Sequence, residues 1–203
     1  PMQRTQAAPL TEHEYDVLEK TSRERHEYYR GEVFAMGGGS VEHSLISANA
    51  IGALRALLRA RCLVFTSDMR IHVPSTGLYT YADAMVICGG VQKHAQFLDV
   101  VVNPVVVLEV LSPSTERYDR GTKFDHYKTI PSLCEYLLVS QEERAVDHWL
   151  RGAPRWGHAR FTAADGAVPL PTLGIELPFE EIYLGADAVP DRLEEPTPHP
   201  GRA

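Results

Sequence analysis

A mixed α/β fold, with helices flanking a central mixed β-sheet, is what the sequence predicts, and three observations carry that prediction. Residues 41–61 place Ile46, Ala50, Ala53, Leu54, Leu57 and Leu58 at spacings of three and four, which marks an amphipathic helix of about five turns. Residues 104–111 are apolar almost throughout, as in a central strand covered on both faces. Runs rich in β-branched and aromatic residues fill much of the remainder, so strands and helices interleave along the chain.

The elements follow in order. Leu10-Thr11-Glu12-His13-Glu14 reads as a capping box with Thr11 at the N-cap and Leu10 as a staple, opening a short helix that runs to about Lys20. Residues 26–36 form an extended segment bent at Gly31, a hairpin or a bent strand. Gly37-Gly38-Gly39-Ser40 breaks the pattern, and with no Lys-Ser/Thr after it this triplet reads as a turn in preference to a phosphate cradle. After the main helix come three strand-like runs, 62–67, 69–73 and 79–88, with Pro74-Ser75-Thr76-Gly77 as the turn between the last two. Residues 89–103 read as an exposed loop. The central strand at 104–111 leads through Ser112-Pro113-Ser114-Thr115, a turn and N-cap, into a helix over 116–130 closed by Pro131. Residues 135–140 and 145–150 read as an antiparallel strand pair, with 156–161 and 173–177 as edge strands on the same sheet. From Ala186 the polar, Pro-rich composition predicts a loose tail.

The 203 residues suffice for one well-buried core, so a single domain over 10–184 with a flexible tail at 185–203 is the expected organisation. With 44% apolar and 23% charged residues the chain has ordinary globular composition. No apolar run approaches the length of a bilayer span, and the segment PMQRTQAAPL carries no signal-like apolar core, so a cytoplasmic protein without membrane partners is expected. Cys62, Cys88 and Cys134 are scattered inside apolar runs without CxxC spacing, which predicts neither disulfide nor zinc site. The net charge of −7 argues against a protein that coats nucleic acid by bulk attraction, though not against a local basic groove.

Two carboxylates stand out. Glu109 sits inside the apolar central strand, where an unpaired ionised carboxylate would cost several kcal/mol. A structural hydrogen bond or an Arg partner would explain a lone buried Glu. Asp83, however, occupies a similar place among Ala82, Ala84, Met85 and Val86, and two like charges close together call for a cation between them. Such hard oxygen ligands suit Mg²⁺. Asp119, Lys123 and Tyr127, four residues apart, share a face of the following helix, which starts where sites in α/β sheets collect. Taken alone, Asp119 and Lys123 are an ordinary helical ion pair worth roughly a few tenths of a kcal/mol.

The segments HEYYRGEVFAM, EHSLISANAIGALRALL, CLVFTSDMRIHV, YTYADAMVIC and above all LEVLSPST…DR..K…Y resemble the Uma-two family of restriction-endonuclease-like proteins, in the PD-(D/E)xK nuclease superfamily. The resemblance covers roughly residues 10–184 and implies a restriction-endonuclease-like core with a divalent-metal phosphodiesterase site. It matches Asp83 to the Asp of the PD element, Glu109 to the acidic residue of (D/E)xK, and Lys123 to a lysine on the next helix. It further implies Mg²⁺ or Mn²⁺ on Asp83, Glu109 and a backbone carbonyl such as that of Val110, Tyr127 and Asp119 fixing Lys123, Glu32 on a metal-bound water, and His43 as ligand or substrate contact. DNA is the implied substrate, and a homodimer is the arrangement that would cut both strands. Two departures stand in this chain: residue 82 is Ala where the superfamily has Pro, and residue 111 is Leu where (D/E)xK has Lys. Glu109→Ala or Lys123→Ala is expected to abolish cleavage with the fold intact. Two other readings stay open: a non-catalytic binding or scaffold protein, favoured by the acidic charge, and a metal-dependent hydrolase of small phosphoesters.

Overall fold

The computed structural model describes residues 8–189. The first helix, α1 (Glu12–Thr21), starts on the expected capping box: the Glu14 amide donates to Thr11 Oγ1 at 3.2 Å and the Thr11 amide donates to the Glu14 carboxylate at 2.8 Å. A hairpin of β1 (His26–Tyr29) and β2 (Glu32–Ala35) follows, turning through Arg30 and Gly31. Both turn residues have positive φ, 48° and 91°, as a two-residue hairpin loop requires. Helix α2 (Val41–Leu58) buries Ile46, Ala50, Ala53, Leu54 and Leu58 of the face read from the sequence, leaves Leu57 exposed, and stops three residues before Arg61, with Arg59 at positive φ.

The predicted run 79–88 is two strands, not one. Strand β5 (Leu78–Tyr81) ends at Ala82-Asp83, and β6 (Ala84–Cys88) begins a different sheet. One sheet has the order β2-β1-β5-β4-β7, where β4 is Arg70–Val73 and β7 is Val100–Val101. The other has the order β11-β10-β9-β8-β6-β3, with β3 (Cys62–Thr66), β8 (Val106–Val110), β9 (Glu135–Val139), β10 (Ala145–Leu150) and β11 (Gly157–Thr162). Strand β8 lies antiparallel to β6 and parallel to β9, so the sheet is mixed, and all five of its residues are buried.

Several expectations are corrected. The loop 89–103 is not simply exposed: Phe97, Val100 and Val101 are buried, β7 pairs with β4, and the Asn103 amide clamps the loop through Gln92 and Gly90. The helix 116–130 breaks into α3 (Glu116–Arg120) and α4 (Thr122–Tyr127) at Gly121, and the Thr115 side chain makes no cap. Residues 173–177 do not extend the main sheet. They enter β13 (Ile175–Pro178), which pairs with β12 (Ala167–Leu170) in a separate ribbon that, with α5 (Phe179–Ile182), covers α2. Of the expected tail, Ala186–Ala188 is a 3-10 turn, and positions 190–203 lie outside the described residues.

The absence of a disulfide is also overturned. The β3–β6 register sets Cys62 directly opposite Cys88 with Cα atoms 4.4 Å apart, and the two are bonded. Spacing along the chain does not reveal that register. Cys134 is free. No helix among the described residues is long and apolar enough to cross a membrane.

The pleat of the six-stranded sheet decides what meets what. Val106, Leu108 and Val110 face α2 and the ribbon, while Val107 and Leu111 join Phe124, Tyr127 and Tyr136 on the opposite face. Glu109 shares the pleat of Val107, so its side chain goes to the α4 side.

Candidate active site

Asp83 stands where the chain passes from one sheet to the other, and its geometry is fixed by that passage. Its Oδ2 accepts the Val110 amide at 2.7 Å and lies 3.2 Å from His43 Nε2. Its own amide reaches Glu109 Oε2 at 3.4 Å. Glu109 Oε1 accepts the Tyr127 hydroxyl at 3.1 Å and lies 2.9 Å from Lys123 Nζ. Lys123 also donates to the Tyr81 carbonyl at 3.0 Å and faces Asp119 at 3.6 Å. Asp83, Glu109, Lys123, Tyr127, Asp119 and His43 are therefore all within one connected set of contacts. The helix break at Gly121 leaves Asp119 and Lys123 four residues apart and still neighbours.

Glu32 lies on the neighbouring strand of the β1–β2 hairpin. It sits on β2 opposite Tyr29 and does not line the cleft. Glu27 on β1, which the sequence reading did not single out, does line it. Glu27 is 1% exposed, 3.5 Å from Lys123, and accepts hydrogen bonds from Thr80 and, at 2.8 Å, from the Tyr118 hydroxyl. The signal was available: Glu27 is a carboxylate inside a strand, the same criterion that singled out Glu109.

These groups line a cleft of about 320 Å³ whose other wall is the glycine triplet. A Cβ at Gly39 would stand 2.6 Å from His43 Nδ1, so only glycine lets the loop lie on that ring. Ser40 caps α2 by accepting the His43 amide at 3.1 Å, which sets His43 on the first turn, facing Asp83.

Electrostatically the site is short of positive charge. Burial pushes the Glu109 carboxyl well above its usual range, Lys123 opposes this, and Asp119 and Asp83 add to it. Burial alone would lower the Lys123 ammonium, but Glu109, Tyr127, Glu27 and Asp119 outweigh it and hold the ammonium charged. His43 is raised by its hydrogen bond to Asp83, against desolvation. Three carboxylates, those of Glu109, Glu27 and Asp119, thus surround one ammonium, with Asp83 beside Glu109.

Among the described residues no three His, Cys, Asp or Glu side chains converge on one point as a preformed cage. The donor set does fit a hard ion that takes one or two carboxylates and keeps its waters, as Mg²⁺ does, and such an ion would offset the surplus negative charge.

Residues 13–180 match the family model Uma2 (Uma-two), described as "Putative restriction endonuclease". Two uncharacterized proteins of Synechocystis sp. are similar: slr1290 is 37% identical over 179 residues, covering 87% of this chain and 92% of its own. The second, sll1609, is 35% identical over 153 residues, covering 72% and 84%. A crystal structure from Anabaena variabilis, described as a putative nuclease belonging to DUF820, superposes with a TM-score of 0.70 at 16% identity, covering 88% of this chain and 99% of its own. The fold is thus restriction-endonuclease-like, and the chain belongs to the Uma2 family.

Proposed function

We propose that the chain, as one domain over residues 10–184, is a metal-dependent endonuclease that hydrolyses phosphodiester bonds of DNA. The observation that carries the reading is the meeting of Lys123 with Glu109 at 2.9 Å beside Asp83, in an open cleft. It departs from a merely structural ion pair because a second carboxylate and a cleft wall share the same spot.

Mg²⁺ or Mn²⁺, held by Asp83, Glu109 and a backbone carbonyl such as that of Val110, would supply Lewis-acid polarisation of the phosphate. The chain's own groups do the rest. Lys123, kept protonated by its carboxylate neighbours, offsets negative charge as it accumulates on the phosphoryl oxygens. Tyr127 fixes the Glu109 carboxylate by donating to Oε1, and Asp119 and Glu27 hold the ammonium from two sides. His43, braced by Asp83 against the glycine loop, is placed to contact a phosphate entering the cleft. A two-fold dimer would bring two such clefts to the two strands of a duplex.

The test is nicking of supercoiled plasmid with Mg²⁺ or Mn²⁺, with the Glu109→Gln variant as control. Cleavage that needs the metal and is lost in the variant supports the reading. A wild-type protein that binds no divalent cation and cuts no nucleic acid would leave the scaffold reading, which the net charge of −7 favours. Turnover of small phosphoesters at rates independent of polymer length would point to the third reading.

A further inference from the structure

Behind the cleft lies a second cavity of about 790 Å³ that the reaction above does not use. The two share Glu27, Ser114 and Thr115 in their walls, so they are neighbours across one partition. The chemistry changes across it. The cleft is walled by carboxylates, whereas the second cavity is walled by Tyr29, Phe34, Leu78 and Tyr118, with Arg117 and His126 beside them.

Three of these side chains, Tyr29, Phe34 and Tyr118, are half-buried aromatics, and of the three only Tyr29 packs against a core cluster. Phe34 belongs to none of the hydrophobic clusters of the core and has no aromatic partner among the described residues. Tyr118 turns its hydroxyl to Glu27 and leaves its ring to the cavity wall. Tyr29 meets His126 edge-on at 4.9 Å and carries the Arg30 guanidinium 5.1 Å from its centroid. Arg117 is exposed, and its guanidinium pairs with no carboxylate among the described residues. In a chain of net charge −7, Arg117 on the cavity wall and Arg30 over the Tyr29 ring put two cations at the rim of an aromatic cavity whose one acidic lining residue is the buried Glu27.

We infer that this second cavity is a nucleobase subsite, and that the phosphodiester processed in the cleft belongs to an unpaired or extruded stretch of strand, not to continuous duplex. The inference rests on the nuclease reading. A flat π-system attached to a backbone phosphate matches aromatic walls with a cationic rim, the arrangement that binds single strands by stacking. A base in a continuous duplex is paired and stacked and cannot enter a lateral pocket without leaving the helix.

The experiment compares the full chain with Phe34→Ala and Arg117→Ala, neither of which touches the catalytic groups. Substrates are one oligonucleotide as a single strand, as a matched duplex, and as a single strand with one abasic position next to the cut. Quenching of 2-aminopurine at that position reports stacking separately from cleavage. We expect the single strand to be cut at least about tenfold faster than the duplex, and the abasic position to lower the rate about tenfold. Phe34→Ala should match the abasic rate on the intact strand, lose the quenching, and show no further loss on the abasic strand. Arg117→Ala, at an exposed site with little risk to folding, should raise KM and flatten the salt dependence. Equal cleavage of duplex and single strand, with both variants indistinguishable from wild type, overturns the subsite and leaves the nuclease reading standing. A wild-type protein that cuts none of the three overturns both.

Discussion

The amide of Val110 donates to Asp83 Oδ2 at 2.7 Å, so the backbone next to one acidic candidate is the tether of the other. The link that carries Asp83 and the strand that carries Glu109 are thereby joined at these two residues, beyond the ladder bonds of β6 and β8. Substitutions on either side of this link should be felt at the other.

Glu109→Gln is expected to abolish cleavage and to stabilise the metal-free protein. Burial raises the folded-state value of the Glu109 carboxyl above its ordinary 4.5, so the folded state favours the protonated group more than the unfolded chain does. Stability from this group is full below about pH 4.5 and is lost as pH rises through the folded value. The variant should remove that slope, so that its stability relative to the wild type rises from pH 5 to pH 9. Urea denaturation in EDTA at pH 5, 7 and 9 measures it, and added Mg²⁺ should flatten the wild-type slope in the same way.

Lys123→Met should behave differently from the sequence expectation of an intact fold. The lysine is 4% exposed and is the ammonium shared by Glu109, Glu27 and Asp119, so removing it strands buried carboxylates. The cost is roughly 3–5 kcal/mol at neutral pH. Thermal melts should show this as a lowered Tm, which shrinks on acidification because the stranded carboxylates can then take up protons.

Glu27→Gln should cut the rate at least about tenfold, while Glu32→Gln should stay within about twofold of wild type. Initial rates on one substrate at saturating metal decide it. Equal losses in both variants would remove Glu27 from the positioning of Lys123.

Cys88→Ser, or reduction of the wild type, should lower stability. The bond closes a loop with a sequence separation of 26, for which the loss of chain constraint is about 3–4 kcal/mol. Denaturant midpoints with and without reductant measure it, and the alkylated Cys134 should be the sole thiol labelled in the native oxidised protein.

Much of the frame was legible because its signals are local. The capping box at Thr11, the apolar face of α2 and the continuous apolar run of β8 each declare themselves within one window of sequence. The Asp83, Glu109 and Lys123 grouping was legible through a likeness of motifs. What was not legible depends on partners distant in sequence. The split between β5 and β6 falls at Asp83 inside an otherwise strand-like run, and is visible only once the strands have chosen different sheets. Cys62 and Cys88 meet only through strand register. Glu27 was passed over because the neighbouring Gly-Glu pair drew attention to Glu32, and the hairpin register that separates the two carboxylates is a matter of pairing.

The change of sheets at Ala82-Asp83 makes this dipeptide a keystone. Tyr81, just before it, gives its carbonyl to Lys123, and Asp83, its second residue, takes the amide beside Glu109. One extra residue inserted here would leave both ladders free to form, yet the ammonium and the two carboxylates would no longer answer to a common frame. The candidate site is thus spaced by two peptide units, and the chain's tolerance for length variation should be lowest there, even though neither sheet has its centre at that point.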